Sequence, residues 1–218
     1  MSLHLQREID KLKKDLLSLC ALVEDQVHKS VRSLLDRDAR LAESVEKGDE
    51  DVDRREIEVE EECLKILALY QPVAIDLRMI IAVMKINNDL ERIGDLAVNI
   101  SHKAKAIASD PAAEIPFDLE LMWKKAQGML RDSVNSLIDL NVELAKDVCN
   151  RDEEVDRMKH ENRNTIEDVI HQNSALIRPL LRIMAVSRNL ERIADCATNI
   201  AEDVIYIVEG KIVRHHEE

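Results

Sequence analysis

The sequence predicts an all-α protein built as two tandem, internally repeated, antiparallel three-helix bundles. Three observations predict it. Apolar residues recur every three or four positions over long stretches, as in Leu5, Ile9, Leu12, Leu16, Leu19, Val23, Val27, Val31 and Leu34. Among 218 residues, glycine and proline number four each and aromatic residues are 2%, so breakers are scarce and helix formers dominate. Finally, Leu90-Glu91-Arg92-Ile93-Gly94-Asp95, continuing to Asn99-Ile100, returns as Leu190-Glu191-Arg192-Ile193-Ala194-Asp195, continuing to Asn199-Ile200, at a constant offset of 100.

Taken in order, the first helix spans Leu3 to Leu35, and Asp36-Arg37-Asp38 ends it and offers a cap to the next. The second begins at Ala39. Gly48 reads as a C-terminal cap or kink and Asp49 as the cap of a continuation, whose buried face is Val52, Val59, Cys63 and Ile66. Gln71-Pro72 stops it, because proline cannot continue the hydrogen-bond ladder. The third helix runs from Val73 to Ala108. Residues 109–116 hold two of the four prolines and form a linker between a first bundle, 1–108, and a second, 117–218. The pattern then restarts with helices at Phe117–Ile138, Val142–Gln172 and Arg178–Glu209. Pro179 suits a first turn and Gly210 a stop. The second and fifth helices also match: Asp49-Glu50-Asp51-Val52-Asp53 corresponds to Asp152-Glu153-Glu154-Val155-Asp156 at an offset of 103.

The repeated stretch carries the candidate chemistry. At about 100° per residue, Val83, Ile86, Leu90, Ile93, Ala97, Ile100 and Ala104 form one apolar stripe, and Ile183, Val186, Leu190, Ile193, Ala197, Ile200 and Val204 repeat it. Glu91 and Asp95 fall with Asn88, Asn99 and His102 in an arc opposite that stripe, which faces them outward. Two carboxylates at this i,i+4 spacing repel by about 0.2–0.5 kcal/mol, and Glu191 and Asp195, with Asn199 nearby, repeat the arrangement. A solvated acidic face is one explanation. The other is a cation that neutralises the pairs, since carboxylate and amide oxygens ligate hard or borderline metals. Asp49, Asp53, Glu56 and Glu60 line one face of the second helix and could complete such a site. In the second half Asp152 and Asp156 persist, but Lys159, Arg163 and Arg188 replace Glu56, Glu60 and Asn88, leaving a site poorer in acids.

Composition excludes other functions. A net charge of −13, with basic residues scattered among acids, argues against direct nucleic-acid binding. No run approaches a membrane span and no signal peptide is evident, so a soluble cytoplasmic protein is expected. Cys20, Cys63, Cys149 and Cys196 form no Cys-x-x-Cys pair and read as reduced thiols in or near the core. No nucleophile–base arrangement stands out. A carboxylate-bridged metal oxidase would use Glu-x-x-His in a bundle, and no histidine here has a glutamate three residues before it.

Gln71-Pro72-Val73-Ala74-Ile75-Asp76-Leu77-Arg78, the paired Leu-Glu-Arg-Ile-x-Asp stretches, and Ala201-Glu202-Asp203-Val204-Ile205-Tyr206 followed by Gly210 and Val213-Arg214-His215 together resemble the PhoU family of phosphate-signalling regulators over essentially the whole chain. The resemblance implies metal-binding positions at Glu91, Asp95, Glu191 and Asp195, with Fe, Mn, Mg or Zn as candidate ions. It also implies a non-enzymatic cytoplasmic regulator, homodimeric, that represses the phosphate-starvation response by connecting a phosphate ABC transporter ATPase to a sensor histidine kinase and meets the membrane only through these partners. An accessory regulator of a different phosphate transporter is the alternative. Arg78 and Arg178, also 100 apart, read as salt-bridging residues at the bundle ends or as phosphate ligands.

Overall fold

A computed structural model describes residues 3–110 and 114–210. Pro111, Ala112 and Ala113 of the linker, and the Val213-Arg214-His215 stretch, lie outside the described residues. Among the described residues, six long helices follow one another: α1 Leu3–Leu35, α2 Ala39–Tyr70, α3 Ala74–Ala108, α4 Leu119–Asp139, α5 Val142–Gln172 and α6 Ile177–Glu209. A single 3₁₀ turn, Ser174–Leu176, precedes α6.

Short polar side chains start α2, α4 and α5, whereas α3 and α6 begin at Val73 and Leu176 with no side-chain cap. Asp38 accepts from the Arg40 and Leu41 amides, Asp118 from Leu121 and Asn141 from Leu144, satisfying N–H groups that have no intrahelical partner. Gly210 ends α6 at φ 69°, a left-handed conformation that glycine adopts without strain. Contrary to the expectation from sequence, α2 runs uninterrupted through Gly48 and Asp49. Gly48 packs against the Gln26 side-chain amide of α1, which would have to shift to admit a Cβ at this position.

Both apolar stripes are buried in full. The halves do not bury them separately. α3 and α6 cross antiparallel, fixed by Lys85 Nζ to Asp203 Oδ1 at 2.7 Å, Asn199 Nδ2 to Asp89 Oδ1 at 3.3 Å and Arg78 Nε to the Ile207 carbonyl at 3.1 Å. As a result α1, α2 and α3 share one contiguous core with α4, α5 and α6. Cys20, Cys63 and Cys196 sit in this core and Cys149 at its edge, all four as free thiols. Burial pushes Cys20, Cys63 and Cys196 up to about 12 and Cys149 up to about 11, so all four stay protonated at neutral pH. Among the described residues, no helix is long and apolar enough to cross a membrane.

Candidate functional site

The acids of α2 and α3 in the first half line one helix-pair interface at the surface: Asp49, Glu56 and Glu91 are half-buried, while Asp53, Glu60 and Asp95 are exposed. Successive turns of α2 present Asp49, Asp53, Glu56 and Glu60, and α3 presents Glu91 and Asp95. Partial burial raises the Glu91 carboxyl above its ordinary range, and repulsion from Asp95, Asp53, Glu56 and Asp49 adds to it. Asp49 rises through burial and then through Asp53 and Asp95. Glu56 rises through burial, Glu60 and Asp53. Gly94 lets the helices approach this closely: a Cβ there would stand 3.2 Å from Val52 Cγ1 and 3.8 Å from Asp49 Oδ1. Asn87, buried on α3, donates to both the Glu56 carbonyl and Glu56 Oε1 at 2.9 Å, which fixes that carboxylate on the interface. Asn87 went unnoticed in the sequence because it lies toward the core, one position from the exposed Asn88.

Several other acids of α2 have cations, whereas the exposed Glu50 and Glu61 form no ion pair among the described residues. Asp51 pairs with Arg54, Glu58 with Arg55, Glu62 with Lys11 and Lys65, and Glu46 with His102 and Lys105. Among the described residues, Asp49, Asp53, Glu56, Glu60, Glu91 and Asp95 take part in no ion pair. This donor set suits a hard multivalent cation, which would supply the missing charge. As positioned, no group of three or more His, Cys, Asp or Glu side chains among the described residues is arranged to hold a metal ion, so cation capture would need the carboxylates to converge.

The second half answers the same problem internally. Lys159 Nζ lies 2.6 Å from Asp156 Oδ1 and 2.6 Å from Glu191 Oε1, at the position that matches Glu56. The ammonium holds Asp156 below the usual carboxylate range. Asp195 sits beyond this bridge and is pushed up to about 6, first by burial and then by Glu191, Asp152 and Asp156. Burial also raises Asp152, while a Thr198 hydrogen bond opposes the rise. Here a lysine already provides the charge that a metal would bring, so these residues do not fit a metal as they stand.

The remaining sequence candidates are dispersed. Asn88 and Asn199 line a separate cavity of about 830 Å³ between α3, α5 and α6, with Lys85, Asp89 and Asp203. His102 Nε2 lies 3.5 Å from Glu46, and Asn99 is exposed. Arg78 makes a hydrogen bond to the α6 carbonyl of Ile207 in place of the expected salt bridge, satisfying an acceptor in the last turn, while Arg178 is exposed.

The PhoU domain family model matches residues 5–104 and again 119–204. The chain belongs to the PhoU family. It is 36% identical to a phosphate-specific transport system accessory protein PhoU homolog of Aquifex aeolicus, over 98% of this chain and 96% of the relative. Identity to the Pseudomonas aeruginosa homolog is 34%, over 99% and 89%. The crystal structure of PhoU from Pseudomonas aeruginosa is similar to this fold at a TM-score of 0.92 and 33% identity, covering 94% of this chain and 99% of that one. The phosphate transport system regulatory protein PhoU from Streptococcus pneumoniae is similar at 0.87 and 26%, covering 97% and 100%. The two matched PhoU segments coincide with the two halves that carry the acidic pairs.

Proposed function

We propose that this PhoU-family chain is an accessory regulator of phosphate transport, working in the cytoplasm as a homodimer. It represses the phosphate-starvation response at high phosphate by linking the phosphate ABC transporter ATPase to a sensor histidine kinase, and reaches the membrane only through those partners. The observation that carries the reading is its likeness, over nearly its whole length, to relatives named for that accessory role. It acts by binding, with long helical faces for partners and no chemical step.

In this reading the α2/α3 groove takes a divalent or trivalent ion of Fe, Mn, Mg or Zn. Asp49, Asp53, Glu56, Glu91 and Asp95 hold it, and the ion supplies the positive charge that lets α2 and α3 close on one another. Support comes from six uncountered acids on facing helices.

A starvation reporter in phosphate-rich medium, in cells lacking their own PhoU-type protein, tests both parts. The native chain is expected to silence it, and a folded Glu91→Gln/Asp95→Asn variant to leave it on. A reporter left on by the native chain, present and folded, would favour an accessory to another phosphate transporter. Silencing by both chains would remove the acids from the mechanism.

A further inference from the structure

The groove of the second half that corresponds to the acidic one has the opposite charge. Five cationic side chains line an open cavity of about 700 Å³: Lys159 and Arg163 from α5, Arg188 and Arg192 from α6, and Arg92 reaching across from α3. Through the repeat, Lys159 and Arg163 stand where the first half has Glu56 and Glu60, and Arg188 where it has Asn88. In a chain of net charge −13 this is a local inversion of sign.

Internal pairing does not exhaust the positive charge. Lys159 is held by Asp156 and Glu191, and Arg163 Nε lies 2.7 Å from Glu167 Oε1. Arg92, Arg188 and Arg192 form no hydrogen bond or ion pair among the described residues. Of the carboxylates lining the cavity, Asp195 alone is left without an ion pair, and Asp89, outside the lining, lies near Arg92. Arg92 and Arg192 are the two arginines of the Leu-Glu-Arg-Ile repeat, and both turn toward this one cavity. Leu181 and Met184 form an apolar wall beside them.

We propose that this cavity is a binding site for a small phosphoryl anion, gripped by Arg92, Arg188 and Arg192. Guanidinium groups offer paired N–H donors that match phosphoryl oxygens and keep their charge at any physiological pH. The volume falls in the usual range of about 300–1,000 Å³ for small-molecule sites. The apolar wall can take the base of a nucleotide, whereas orthophosphate or pyrophosphate would use the arginines alone. The site is independent of any cation in the α2/α3 groove, although Arg92 follows Glu91 directly, so α3 carries a residue of each groove.

The test is calorimetric titration of the full chain with orthophosphate, pyrophosphate and ATP in turn, in the presence of chelator so that no cation-bridged phosphate at the acidic groove contributes. At least one probe is expected to bind saturably and more weakly as ionic strength rises. Arg92→Gln and Arg188→Asn, at exposed positions, should each weaken it about tenfold with unchanged circular dichroism, while Glu91→Gln should not. The tightest probe names the source: ATP alone a nucleotide, pyrophosphate and ATP an oligophosphate, all three the single phosphoryl group. The proposal is overturned if no probe binds saturably at millimolar concentration, or if the arginine variants bind as the native chain does.

Discussion

Lys159 holds Glu191 at 2.6 Å in the second half, whereas Glu91, its counterpart in the first, faces Glu56 at the position matching that lysine. One helix-pair interface has therefore resolved its carboxylate repulsion with an internal ammonium, and the other has left it open.

Replacing this lysine should turn the second groove toward the first. Lys159→Gln leaves Asp156 and Glu191 without their cation and is expected to cost about 1–2 kcal/mol, since both carboxylates keep some solvent. Lys159→Glu should add a second saturable binding event for Mn²⁺ in titration calorimetry. If the stoichiometry is unchanged in a folded Lys159→Glu variant, the lysine is not what keeps cations out.

The raised carboxylates set a pH dependence. Asp195 titrates at about 6 in the fold against an ordinary 3.8, so the folded state binds this proton more tightly than the unfolded state. Its contribution is full below the ordinary value and is lost as pH rises through about 6. Glu91, Asp49 and Glu56 act in the same sense, and Asp156, held low by Lys159, in the opposite one. After discounting for solvent, Asp195 is worth about 1–2 kcal/mol. Thermal melts in chelator should show Asp195→Asn gaining roughly 2–6 °C over the native chain at neutral pH, with the gap closing in acid.

Cation addition should oppose that loss at neutral pH. An ion at a hundred times its dissociation constant stabilises by about 2.7 kcal/mol. Mn²⁺ or Mg²⁺ is expected to raise the midpoint of the native chain, chelator to reverse the rise, and Glu91→Gln/Asp95→Asn to abolish it. An equal rise in that variant would place the ion elsewhere.

Gly94→Ala isolates the close approach of the helices. The new methyl meets Val52 at 3.2 Å, so α2 and α3 must part slightly. Overpacking of about 1–3 kcal/mol outweighs a helix-propensity gain of about 1 kcal/mol, giving a modest net loss of stability. Cation affinity should fall too, because the Asp49 and Asp95 carboxylates then stand further apart. Parallel calorimetry and melts of the variant check both effects.

The shared core makes unfolding cooperative across the halves. Ile93 and Ile193 are both fully buried, and cutting either to alanine should cost about 2–5 kcal/mol. Each variant is expected to shift one common transition downward. A separate early transition in either would mean that the halves unfold independently.

Sequence alone determined the helices and their order, because a 3.6-residue apolar period, short polar caps and proline stops act within a few residues of themselves. It also determined the duplication, the acidic pairs at i,i+4 and the basic replacements Lys159, Arg163 and Arg188. It misread Gly48, since a glycine packed against Gln26 of another helix looks locally like a helix end. It missed Asn87 and misassigned Arg78, whose partners, Glu56 and the Ile207 carbonyl, lie 31 and 129 residues away in the chain. Tertiary structure decided what faces what: that Glu91 is half-buried beside the acids of α2, that Lys159 bridges Asp156 to Glu191, and that Arg92 joins Arg188 and Arg192 around one cavity. It also merged the two halves into one core through α3 and α6. The physical reason is range. Periodicity and capping are local and survive in a one-dimensional string, whereas charge pairing and burial depend on which helix faces are pressed together, and the packing of the whole bundle sets that.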